Sequence, residues 1–94
     1  MKHRKNVLQK LAEHPALYSQ PLPGIPLVEI AGDRRILVEN HQGITEYYRE
    51  KICIRVKYGH ICVLGNELEL SCMTGQKLVI SGKIDSVAFM RGAE

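Results

Sequence analysis

From residue 27 onwards, apolar and β-branched residues alternate with polar ones in short runs that glycines separate. This period of two is typical of half-buried strands, and glycine supplies the tight turns between them. Strands about eight to ten residues apart are typical of an antiparallel sandwich or small barrel rather than of βαβ units. We therefore predict an all-β fold over residues 27–91, a small antiparallel β-sandwich of about seven to eight short strands. A β-solenoid is the alternative.

Hairpin loops can be tested within the sequence, because directly paired residues of an antiparallel sheet lie on the same face. Three candidate loops set apolar residues opposite each other. The predicted partners are Ile30 with Ile36 and Val28 with Val38 across residues 32–34, Val56 with Val63 across a Gly59-His60 turn, and Leu70 with Ile80 and Cys72 with Leu78 across residues 74–76. The last pair predicts that Cys72 belongs to the core.

Near the end of the chain the alternation changes phase. Apolar residues stand at even positions from Leu78 to Ile84, whereas Val87 and Phe89 stand at odd positions. This slip predicts a bulge or break between Asp85 and Val87, which would divide one long strand into two.

The cysteines, Cys53, Cys62 and Cys72, are odd in number and lie nine and ten residues apart. This spacing fits neither a disulfide framework nor a Cys-x-x-Cys metal knuckle. We expect buried, reduced thiols.

All of the net charge of +3 lies in residues 1–14, because the rest of the chain is balanced. A narrow apolar stripe there predicts a short basic N-terminal amphipathic helix or tail, and residues 15–26, with all four prolines, form a linker. The residues that could contact a membrane or a partner are Lys2, Arg4, Lys5, Val7, Leu8, Lys10 and Leu11. Such an anchor would be weak and reversible. No apolar run reaches the roughly 18 to 20 residues of a membrane span and no secretory signal is present, so we expect an intracellular protein.

Asn40 and His41 could supply an orienting amide and a base, but no nucleophile accompanies them in sequence. An Asn that opens a tight turn, with a positive φ at Gly43, explains the same residues without catalysis. We therefore predict no catalytic residues and no enzyme.

The other polar groupings also have structural explanations. His60 and Cys62 have possible metal-ligand spacing, but only the distant His41, Cys53 and Cys72 could complete a site. Glu67 and Glu69 fit the solvated side of an edge strand. The glycines precede no helix, so no nucleotide-binding loop is expected. We predict no metal and no cofactor.

Exposed tyrosines beside basic residues could stack on single-stranded nucleic acid. The candidates are Tyr47, Tyr48 and Tyr58 beside Arg49, Arg55 and Lys57. The part of the chain after residue 14 has no net charge and no Trp, so this is the weaker interpretation.

Four segments together resemble the YabP/YqfC family of sporulation proteins from spore-forming Firmicutes, and more closely its YqfC branch. They are Pro26 leading into a strand that ends at Gly32, "VENHQGI" at 38–44, "GHICVLG" at 59–65 and "SGKIDSVAF" at 81–89. The resemblance covers about residues 24–90 and lies in the order and spacing of small, turn-rich pieces.

The resemblance implies a small β-sandwich that is made in the mother cell during endospore formation and has no known catalytic activity. The family's Asn-His-x-Gly turn corresponds here to Asn40, His41 and Gly43. Such proteins are typically encoded beside an integral membrane sporulation protein, which implies work at the membrane that surrounds the forespore.

We therefore expect a non-enzymatic interaction module in the mother-cell cytoplasm, peripheral at the forespore outer membrane, with no small-molecule substrate. Its expected partner is an integral membrane sporulation protein, or its own copies through a sheet edge. A self-assembling β scaffold, a homopolymer, is the alternative, and a nucleic-acid-binding module is a more distant one.

Overall fold

The computed structural model describes residues 24–92, so the predicted helix over residues 1–14 and most of the linker lie outside the described part of the chain. The described residues form six strands, joined antiparallel in one sheet. The strands are β1 (Leu27–Ala31), β2 (Arg35–Glu39), β3 (Ile44–Tyr47), β4 (Lys51–Val56), β5 (Gly59–Met73) and β6 (Lys77–Arg91). Their order across the sheet is β1-β2-β6-β5-β4-β3. Within this range the all-β prediction is confirmed, and the predicted strand number of about seven to eight is wrong.

The hairpin of β1 and β2 has the predicted register, with Ile30 opposite Ile36. β6 pairs with the other side of β2 and places Ile80 opposite Ile36, and β5 continues the row with Leu70. One row of apolar side chains therefore crosses four neighbouring strands.

The hairpin of β4 and β5 turns at Lys57 and Tyr58, two residues earlier than the predicted Gly59-His60 turn. The shift in pairing is even, so every side chain keeps its predicted face. Gly59 has a φ of 149°, and a Cβ at this position would collide with the carbonyl oxygen of Met90. Glycine is required here because β6 passes so close, and sequence alone cannot distinguish this requirement from a turn.

The phase change near the end of the chain is a bulge within one continuous β6. Leu64 pairs with Ser86 and Gly65 pairs with Ile84, so Asp85 is the extra residue. The prediction of a bulge is confirmed, whereas the prediction that the strand divides into two is wrong. The backbone hydrogen bonds of β5 hold both sides of the bulge in one strand.

A second irregularity changes the position of Cys72. Leu70 pairs with Ile80 as predicted, but Cys72 pairs with Val79 because Ser71 is an extra residue in β5. One inserted residue turns all later side chains to the other face of the sheet. The prediction that Cys72 belongs to the core is therefore wrong, and its side chain is exposed.

β5 and β6 bend together near their middle. Glu67 and Gly82, on the two strands of this bend, have φ values of 53° and 142°. The bend separates a β4 half of the hairpin, in which residues 59–64 pair with 86–91, from a β2 half, in which residues 69–73 pair with 78–81.

Buried apolar side chains from both halves form one cluster. Its members are Ile36, Val38, Ile52, Ile54, Val56, Ile61, Val63, Leu68, Leu78 and Ile80. The sheet therefore curls until the apolar faces of its two halves meet, which removes these side chains from water. Because all six strands remain hydrogen-bonded in one sheet, the two separate sheets of a sandwich are not confirmed.

Candidate functional site

His41 lies in the loop between β2 and β3 and is only 8% exposed. The backbone N–H of Gly43 donates to its Nδ1 at 3.0 Å, so the ring proton is on Nε2. Nε2–H donates in turn to the carbonyl oxygen of Thr74 at 2.8 Å. Both ring nitrogens are thus bonded to backbone groups, and the imidazole connects this loop to the loop between β5 and β6.

Asn40 completes this connection. Its φ is 63°, its backbone N–H donates to Gln76 O at 2.7 Å, and its side-chain Nδ2 donates to Ile25 O at 2.9 Å. Gly43 has a φ of 108°, which confirms the predicted positive φ at this turn. Asn40 and His41 therefore hold three chain segments together and leave no ring nitrogen available as a base.

Replacing His41 with alanine removes both hydrogen bonds and leaves Gly43 N–H and Thr74 O without this partner. We expect the free energy of unfolding to fall by about 1–3 kcal/mol, as urea denaturation would measure. Gln42, whose side chain is exposed, is the matched control, and Gln42→Ala should change it by less than about 0.5 kcal/mol. Equal effects of the two substitutions would contradict the bridging role of His41.

Cys53 and Cys62 form a disulfide between β4 and β5, with their Cα atoms 4.1 Å apart. The prediction of reduced thiols at these two positions is therefore corrected. The two residues are directly opposite each other at a position without ladder hydrogen bonds, where antiparallel strands approach most closely. Spacing along the chain could not show this, because it depends on the register of the hairpin.

The other candidate groups do not converge. Among residues 24–92, no three His, Cys, Asp or Glu side chains come together as a possible metal site. Glu67 and Glu69 are both exposed and line a small cleft with Arg49. Tyr47 and Tyr48 are exposed near the end of β3, whereas Tyr58 lies at the turn between β4 and β5 and borders another cleft.

The most distinctive surface is the open side of the end of β6. β2 pairs with β6 only as far as Ser81, and the contact ends with hydrogen bonds from Gly82 N to Arg34 O and from Ile84 N to Asp33 O. From Asp85 to Arg91, β6 has β5 on one side, and no strand of the described range on the other. We call the open side of this segment the β6 edge.

Apolar side chains border the β6 edge. Phe89 shares a row with the buried Ile54 and Ile61, yet it is 58% exposed. A cleft of about 810 Å³ next to it is lined, within the described residues, by Tyr58, Phe89, Arg91 and Gly92. The apolar face of the sheet therefore extends past the strands that cover it and is exposed at Phe89. Exposed apolar surface of this kind is typical of binding sites.

The sequence predicted contacts at Lys2, Arg4, Lys5, Val7, Leu8, Lys10 and Leu11, and all of these lie outside the described residues. It gave no prediction for Phe89 as a surface residue. The only signal was the phase change before Val87, which marks the bulge at Asp85, directly after the last contact of β6 with the loop between β1 and β2. The structure contains, in the range it describes, no helix long and apolar enough to cross a membrane.

Comparison with known proteins gives two matches. The model of the YabP family matches residues 26–94 of this chain. "Uncharacterized protein YqfC" of Bacillus subtilis (strain 168) is 21% identical over 66 residues, which cover 70% of this chain and 71% of that protein. No solved structure matches this chain.

Proposed function

Since this chain belongs to the YabP family, we propose that it is a non-enzymatic protein-interaction module of sporulation that acts in the mother cell. Membership in this family and the likeness to YqfC support a sporulation-related role. Its partner in this proposal is an integral membrane sporulation protein at the membrane that surrounds the forespore.

The β6 edge is the observation that carries the proposal. Open backbone N–H and C=O groups along a strand can pair with another chain, and an apolar side chain beside them adds affinity. Phe89 provides such a side chain at 58% exposure. Recognition of this kind needs backbone groups rather than a constellation of reactive side chains.

The hydrogen bonds of His41 support a non-catalytic role. A general base needs a ring nitrogen that can reach a substrate proton. Here Nδ1 accepts from Gly43 N–H and Nε2 donates to Thr74 O, so the ring serves the fold. Catalysis by this histidine as a base would require the hydrogen bond from Gly43 N–H to Nδ1 to break.

The basic segment of residues 1–14 is the proposed contact with the membrane side. It carries Lys2, Arg4, Lys5 and Lys10 against Glu13, and each cation near an anionic surface contributes roughly 1 kcal/mol. This attraction is enough to concentrate the protein at a membrane and too weak to replace a specific partner.

Affinity capture from sporulating cells tests the proposal. The tagged full chain should retain one specific integral membrane protein and should concentrate around the forespore, as fluorescence microscopy would show. A chain without residues 1–20 should lose most of this localisation. A second variant with glutamine at Lys2, Arg4, Lys5 and Lys10 separates the effect of charge from the effect of length.

The proposal fails if the full chain captures no membrane protein and stays diffuse in the mother cell. His41→Ala provides a further control, because loss of a catalytic histidine would stop sporulation even when the variant is folded, whereas loss of a structural histidine would act only through stability. If the variant remains folded and localised, sporulation should proceed, whereas arrest at normal protein levels would indicate chemistry at His41.

A further inference from the structure

We propose that the β6 edge pairs antiparallel with the β6 edge of a second copy, giving a closed dimer with Ala88 at the twofold axis. This inference rests on the proposed function and identifies a second copy of the chain as the occupant of the edge, so that the membrane protein would bind the dimer at another surface. It is carried by the direction of the backbone groups and by the order of residues along the edge.

The backbone groups that face the open side can be assigned. In an antiparallel ladder, successive residues alternate between bonding to one neighbouring strand and to the other. Gly92 N donates to Tyr58 O at 2.8 Å, so the even-numbered residues at the end of β6 bond towards β5. The N–H and C=O groups of Val87, Phe89 and Arg91 therefore point away from β5, into the open edge.

Self-pairing about Ala88 matches these groups. It sets Val87 of each copy opposite Phe89 of the other copy. Both residues have N–H and C=O groups that point into the open edge, so each of the two pairs can form two ladder hydrogen bonds. Ala88 then meets Ala88 at a position without ladder bonds, where strands approach closely and a small side chain fits. β-branched and aromatic residues opposite each other are a favourable cross-strand pair.

Charge is complementary in the same register. Asp85 lies at one end of the segment and Arg91 at the other, and both side chains are exposed. Antiparallel pairing about Ala88 brings Asp85 of each copy opposite Arg91 of the other. Parallel pairing would instead set like charges side by side, which is unfavourable.

The two outer strands of the sheet are less suited to pairing. β1 has only five residues, follows Pro26 and contains Glu29, and β3 has only four residues with an irregularity between Ile44 and Glu46. Short length, proline, charge and bulges are the features that prevent strand edges from associating. These properties favour a closed pair through β6 over an open filament.

Residues 1–23 are the competing occupant. A Cβ at Gly24 would lie 3.4 Å from Lys57 Nζ, so the described chain begins beside the turn that contains Tyr58. Tyr58 borders the cleft next to Phe89. The test must therefore compare the full chain with a chain that lacks residues 1–23.

Analytical ultracentrifugation of the purified full chain over a wide range of concentrations is the experiment. We expect a monomer–dimer equilibrium without larger species, unchanged when residues 1–23 are removed. Asp85→Arg and Arg91→Asp should each raise the dissociation constant about tenfold, and the double variant should restore it. Phe89→Lys should give monomer, whereas Tyr48→Lys, at the equally exposed Tyr48, should not.

Four results would overturn the inference. They are a monomer at every concentration, a dimer that the two single charge reversals and Phe89→Lys leave unchanged, a dimer that forms only after residues 1–23 are removed, and open-ended assemblies. Circular dichroism shows whether each variant is folded. If Phe89→Lys does not fold, the two single charge reversals and the double variant that combines them still test the inference. Because the measurement needs no membrane protein, its failure is distinguishable from failure of the capture experiment.

Discussion

Replacing Ile80 with alanine should lower the free energy of unfolding by about 2–5 kcal/mol. Ile80 is fully buried and pairs with Ile36 on β2 and Leu70 on β5. Alanine would lose the burial of the removed carbons and leave a cavity in the cluster that joins the two halves of the sheet. A chain of this size has a total stability of only about 5–10 kcal/mol, so the variant should be close to unfolding. Urea denaturation at 25 °C measures the change.

Ile30 provides the matched control, because it lies in the same cross-strand row on β1, the outer strand beyond β2. Its side chain is 53% exposed, so Ile30→Ala should cost less than about 1 kcal/mol. A much larger loss of unfolding free energy for Ile80→Ala than for Ile30→Ala would show that the curled sheet buries Ile80 and leaves Ile30 exposed. Equal losses would mean that the two halves do not close over Ile80.

Gly82→Ala should destabilise the protein by about 2–4 kcal/mol. Gly82 has a φ of 142°, which side chains rarely adopt, and a Cβ there would lie 2.6 Å from Glu67 O and 2.9 Å from Leu68 Cα. The atoms that the Cβ would meet belong to the backbone of β5, so this steric clash can be removed only if β5 moves at the bend. Movement of β5 would also displace the buried Leu68.

Gly75→Ala is the control for Gly82→Ala. Gly75 lies in the loop between β5 and β6, and a Cβ added there meets nothing within 4 Å. Its substitution should change the unfolding free energy by less than about 0.5 kcal/mol, as thermal and urea unfolding would measure. Tolerance of alanine at Gly82 would contradict the close crossing of β5 and β6 at the bend.

The hairpin of β1 and β2 shows why part of the fold could be predicted. Its loop is short, so the turn and the alternation of apolar residues specify the register together, and Ile30 pairs with Ile36 as expected. The turn of β4 and β5 lies two residues earlier than the sequence predicts, because the backbone of β6, rather than a turn, requires glycine at position 59. Its side-chain faces were still correct, since only an odd shift reverses them.

The candidate surface could not be predicted in the same way. Phe89 continues an apolar row, and a period of two shows which face it lies on but not whether another strand covers that face. β2 stops pairing with β6 at Ser81, and this depends on residues that are distant in sequence. The disulfide of Cys53 and Cys62 depends likewise on a register that only the folded hairpin establishes.

The sequence by itself determined that this is a protein of antiparallel strands, because the period of two and the turn residues are local properties of the chain. It also determined which side chains lie on which face of the sheet in most strands, because side chains alternate between the two faces. Only the tertiary structure decided that β5 and β6 each run as one long bent strand, that Cys72 faces outwards, and that the end of β6 has an open side. These features depend on single extra residues and on close backbone contacts between distant segments, and both arise only when the strands pack together.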